Sequence, residues 1–109
     1  MEEADPTQLV FRRALERLSR SADEQIRDKP PGVCLTCDLV NDYDDASFTT
    51  TAMSLPDDLK GMWVELGKSL EALDGDDLEC DNDYAVRRPA WQAVRAAASR
   101  TLLRLREPR

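Results

Sequence analysis

The chemistry-bearing residues of this chain are its three cysteines and a dense set of carboxylates. Cys34-Leu35-Thr36-Cys37 is a CxxC pair, and Cys80 is the third thiol. Thiolates are zinc ligands, but zinc takes four donors; Asp38, Asp81 and Asp83 are the carboxylates near enough in sequence to supply the fourth. A redox role needs a thiol at a helix N-terminus, where its pKa falls. The local sequence points instead to a strand, on which residues three apart lie about 10 Å from each other and face opposite sides. Two Cα atoms beyond about 7 Å cannot share a disulfide without backbone movement. Cys34, Cys37 and Cys80 are therefore expected to be ordinary small buried residues, with no cofactor.

The chain contains no histidine. That removes Ser-His-Asp and Cys-His nucleophilic machinery and every zinc site that uses imidazole. A calcium loop of the EF-hand kind fails too. Counted from Asp74, its required glycine and final glutamate positions hold Glu79 and Ala85; counted from Asp42, Ala46 and Ser47 fall at loop positions 5 and 6. Glu65-Leu66-Gly67-Lys68 is one residue too long for a nuclease-type Glu-x-Lys ending and falls on a helical pattern. With no nucleophile, base and oxyanion donor in one place, the chain is not expected to be an enzyme.

The acids are unevenly spread. Residues 38–83 hold fourteen acids against Lys60 and Lys68, whereas residues 84–109 hold one acid and seven arginines, within a total charge of −7. A one-signed surface steers an oppositely charged partner toward it. Asp42, Asp44 and Asp45, with Asp76, Asp77, Glu79, Asp81 and Asp83, form the candidate acidic face. Its expected partner is a basic protein surface. Phosphate-backbone binding is disfavoured by the same charge and by the few aromatic residues.

The elements that would position these groups follow from periodicity. Asp5-Pro6-Thr7-Gln8 reads as a helix start, and Phe11, Ala14, Leu15, Leu18, Ala22 and Ile26 form one helical stripe. Lys29-Pro30-Pro31-Gly32 ends it. Val33–Val40 and Ala46–Met53 are β-branched or threonine-rich runs around a turn-like Asn41-Asp42-Tyr43-Asp44-Asp45, which predicts a β-hairpin. A second helix opens near Pro56, carries Leu59, Met62, Trp63, Leu66, Leu70 and Leu73, and stops at Asp74-Gly75. Gly61 and Gly67 within it suggest close packing. Tyr84-Ala85-Val86 is a candidate third strand. Pro89 starts the last helix, whose stripe is Trp91, Val94, Ala98, Leu102 and Leu105. Trp63 and Trp91 are core residues on this reading.

The expected fold is a single α+β domain over residues 1–109: an N-terminal helix, a β-hairpin and two further helices around one core. A lone hairpin is marginal in water, so pairing with a second copy is a physical reason for a homodimer. The opening Met-Glu-Glu-Ala-Asp-Pro lacks the basic start and apolar stretch of a secretory signal, no apolar run suits a membrane span, and three cysteines do not make a disulfide framework. These features fit a cytoplasmic protein, and the arginine and alanine usage hints at a GC-rich bacterial gene. The leading function is a non-enzymatic interaction module of the inhibitor, immunity or accessory type that binds a basic partner. The alternative is a small cysteine-based metal or redox module.

Overall fold

The computed structural model describes residues 6–50 and 55–106, with side chains over 9–48 and 55–106. Five α-helices run in order among the described residues: α1 Pro6–Ser19, α2 Ala22–Arg27, α3 Leu35–Thr50, α4 Asp57–Glu71 and α5 Pro89–Arg106. A short 3-10 turn, Asp83–Arg87, precedes α5. No strand occurs among the described residues. The expected α+β class is therefore corrected to all-helical.

The hairpin is the main point of difference. Val33–Val40, the acidic turn and the beginning of Ala46–Met53 lie before or within the single helix α3; residues 51–53 fall outside the described range. Helix wins because Leu35, Leu39, Tyr43 and Ala46 recur at helical spacing and meet the core together. Asp38 and Asp42, four residues apart on one face, both reach Arg17 of α1. Those tertiary contacts outweigh the strand preference of threonine and valine, which is weak and context-dependent. The candidate strand Tyr84–Val86 is the 3-10 turn, capped by Asn82, whose side chain accepts from the Tyr84 N–H at 3.1 Å.

The first predicted helix is two. Ser21 breaks it by forming a capping box, its hydroxyl accepting from the Glu24 N–H at 3.1 Å while Glu24 accepts from the Ser21 N–H at 3.2 Å. Gln25 is then buried on α2 and donates to the Arg17 carbonyl at 3.0 Å, satisfying an acceptor near the end of α1. Gly32, with φ +77°, makes the turn into α3 that a Cβ would strain.

Helix α1 packs against α5 and α3, and α5 also packs against α4. Phe11, Leu15, Leu18, Leu35, Leu39, Leu66, Val86, Trp91 and Val94 make the most deeply buried part of the core. Tyr43 on α3 stacks on Trp63 of α4 with ring centroids 4.4 Å apart, and donates its hydroxyl to the Trp63 carbonyl at 2.9 Å. Trp63 also donates its indole N–H to the Ser47 hydroxyl and touches Phe11. Gly67 lies under the Tyr43 hydroxyl, in the space a Cβ would occupy, whereas Gly61 meets no such neighbour. Close packing thus explains one of the two helical glycines.

Candidate functional site

The CxxC folds as the beginning of α3. Cys34 occupies the cap position, with its carbonyl accepting the first helical bond from the Asp38 N–H at 2.9 Å. Cys37 lies within the first turn. A cap residue and the residue three beyond it share one end of a helix, so the two sulfurs are brought together rather than pointed apart. The Cys37 backbone N–H at that helix end favours the thiolate of Cys34.

Cys80 arrives from the segment between α4 and α5, and a set of hydrogen bonds explains why. Asp74 and Asp77 bond each other reciprocally, each backbone N–H donating to the other's carboxylate at 3.0 Å. Arg88 donates to Asp77 at 2.6 Å, and the Trp91 indole donates to the Asp77 carbonyl at 2.8 Å. Asp77 is itself buried, and these bonds hold its carboxyl below the usual range, the Asp74 backbone N–H first and Arg88 next. The loop so fixed presents the Leu78 carbonyl to the buried Thr36 hydroxyl, which donates to it at 3.2 Å. Two residues further, Cys80 Sγ lies 3.3 Å from Cys37 Sγ.

The three sulfurs all lie within 4.8 Å of one another. A zinc–sulfur bond of about 2.3 Å sets tetrahedral sulfurs about 3.8 Å apart, so the spacing suits one metal ion. Cys34 is half-buried, and Cys37 and Cys80 are exposed. Burial opposes ionisation of Cys34. Hydrogen bonds from Cys80, Thr36 and Cys37 nevertheless bring its pKa down to about 7. The Cys80 thiol, bonded first to Cys34 and then to Cys37, is pushed up to about 12. Cys34 and Cys80 thus share a proton between them.

Cysteines expected to be ordinary buried residues are thus a surface cluster. The carboxylates named as a fourth ligand do not join it: among the described residues, only the three cysteines form this group. Asp38 is held by Arg17 at 2.8 Å and Asp83 by Lys29 at 3.2 Å. Asp81 is exposed.

The eight acids of the candidate docking face are divided. Asp42, Asp44 and Asp45 lie along α3, while Asp76, Asp77, Glu79, Asp81 and Asp83 lie on the segment between α4 and α5. Asp42 is paired with Arg17, Asp76 approaches Arg88 at 4.0 Å, and Asp77 is the buried pivot of the loop. Asp44, Glu79 and Asp81 are exposed, as is Asp45. Sequence reasoning missed Thr36 and Asp77 as positioning residues. The one local sign was the Asp74-x-x-Asp77 spacing, which suits a reciprocal turn.

The fold and site define a small all-helical protein carrying a three-thiol surface cluster. The chain matches no family model, no curated protein and no solved structure. Among the described residues, no helix is long and apolar enough to cross a membrane.

Proposed function

We propose that this protein is a metal-binding module that holds one zinc-like ion through the thiolates of Cys34, Cys37 and Cys80. The observation that carries the reading is the meeting of three sulfurs within 4.8 Å, one of them supplied from 43 residues away. The chain has no other cysteine and no histidine, and the nearby carboxylates stay outside the group, so water or an external ligand completes the shell. An ion held this way retains an exchangeable position facing solvent. Metal uptake displaces the thiol protons, and the lowered pKa of Cys34 reduces that cost near neutral pH.

Native mass spectrometry of the reduced, metal-free protein titrated with zinc tests this. The expected result is one zinc per chain, bound far more weakly when any one of the three cysteines becomes serine. Absence of stoichiometric uptake, or uptake unchanged by all three substitutions, overturns it.

Docking of a basic protein on the acidic residues has less support. Four of the eight acids, Asp42, Asp76, Asp77 and Asp83, are engaged by an arginine or a lysine. What favours it still is the exposure of Asp44, Glu79 and Asp81.

A further inference from the structure

We infer that the same cluster is a thiol switch in which a hydroperoxide joins Cys37 to Cys80 and thereby expels the metal. This regulation rests on the metal-binding reading, but the bond itself does not. Cys37 and Cys80 are the exposed pair, with sulfurs 3.3 Å apart, whereas Cys34 is half-buried. Two other pairings compete, Cys34–Cys37 within the CxxC and Cys34–Cys80 across the cluster, and both need the half-buried sulfur of Cys34. The structure favours Cys37–Cys80 because the Thr36–Leu78 hydrogen bond and the Asp77 turn hold Cys80 against the first turn of α3, where the exposed Cys37 sulfur meets it.

The chemistry needs only a peroxide as oxidant. The Cys37 sulfur attacks one peroxide oxygen as its thiol proton departs; the O–O bond breaks, and the alkoxide takes up that proton and leaves as an alcohol. Cys37 is left as a sulfenic acid. Cys80 sulfur then attacks Cys37 sulfur, the S–O bond breaks, and hydroxide leaves as water with the Cys80 proton. Two thiols and one hydroperoxide become one disulfide, one alcohol and one water. For hydrogen peroxide the alcohol is a second water. Two of the three metal ligands are consumed, and a thiol reductant restores them.

The test treats the reduced, metal-free protein with one equivalent of hydrogen peroxide and maps disulfides by non-reducing peptide mass spectrometry. The expected product is Cys37–Cys80. It persists in Cys34→Ser, whose hydroxyl is a good helix cap, and is lost in Cys37→Ser and Cys80→Ser. A bond from Cys34 to either Cys37 or Cys80 as the main product, or no disulfide, overturns the pairing. A second arm treats zinc-loaded protein and follows release with a chromophoric chelator, expecting one zinc freed per disulfide and recapture after reduction. Zinc that stays bound to protein carrying the mapped disulfide overturns the switch. Reduced protein that never binds zinc overturns the metal reading and the expulsion together, leaving the pairing to the first arm.

Discussion

Helix α3 serves two regions that differ in almost every physical respect. Its middle carries the aromatic seam, where Tyr43 stacks on Trp63 and Trp63 tilts against Phe11. Its N-terminal end carries the thiol corner. In the seam, ring shapes and two hydrogen bonds fix one arrangement, and Gly67 is small because the Tyr43 hydroxyl occupies the space beside it. In the corner, polarizable sulfurs share protons at the surface, and backbone hydrogen bonds set only where they stand. Stability is concentrated in the first region and chemistry in the second. A substitution should therefore change one property with little effect on the other.

The largest effect is expected in the seam. Trp63→Ala removes a nearly buried indole and its stacking, and should cost about 3–5 kcal/mol by denaturant unfolding. Zinc affinity of the molecules that remain folded should be unchanged. A large loss of affinity there would mean that the two regions are coupled through α3. In the corner, Cys34→Ser, Cys37→Ser and Cys80→Ser should each lower zinc affinity about 100-fold or more, since even supporting residues around a metal are worth 10–100-fold. Unfolding of the metal-free protein should change little in all three.

Thr36→Val lies between the extremes. It keeps the shape of a buried side chain but removes the donor to the Leu78 carbonyl. About 1 kcal/mol of stability should be lost, and zinc affinity should fall by roughly 10-fold because Cys80 is held less firmly. Gly67→Ala should cost about 1 kcal/mol by pushing Tyr43 off its site, the crowding outweighing the better helix propensity of alanine. Its zinc affinity should match the parent chain.

The smallest effect is a shift in pH dependence. Cys34 ionises more readily folded than unfolded, so its contribution to stability is complete above the ordinary thiol value of 9.0 and is lost as pH falls through about 7. Alkylation of Cys34 in the metal-free protein should accordingly be half-maximal near pH 7. Cys80→Ala removes the strongest of the hydrogen bonds that favour the thiolate and should move that midpoint upward.

The seam and the corner also differ in how far the sequence reveals them. Helices α4 and α5 are readable because Leu59, Trp63, Leu66 and Leu70, and then Trp91, Val94, Ala98 and Leu102, form unbroken stripes between turn residues. The α1 stripe is readable too, although the capping box at Ser21 divides it. In α3 the stripe Leu35, Leu39, Tyr43 and Ala46 is sparse, and valine, threonine and a run of aspartates mask it. That one element decides the site. As a strand it separates Cys34 from Cys37; as a helix it gathers them at a cap. The approach of Cys80 depends on the Asp74–Asp77 turn, which the spacing of the two acids suggests, and on the bonds of Asp77 to Arg88 and Trp91 and of Thr36 to Leu78, which no local pattern encodes. The acidic middle was visible as a charge surplus, but Arg17 and Arg88, from outside that stretch, neutralise part of it in space.

Sulfur-ligand counting by X-ray absorption on the zinc-loaded protein is the most direct test of the central claim. The account predicts three sulfurs at about 2.3 Å and one oxygen completing the shell, falling to two sulfurs in Cys80→Ser. A shell with two sulfurs in the parent chain, unchanged by that substitution, would show that Cys80 does not join the pair on α3 and would contradict the account.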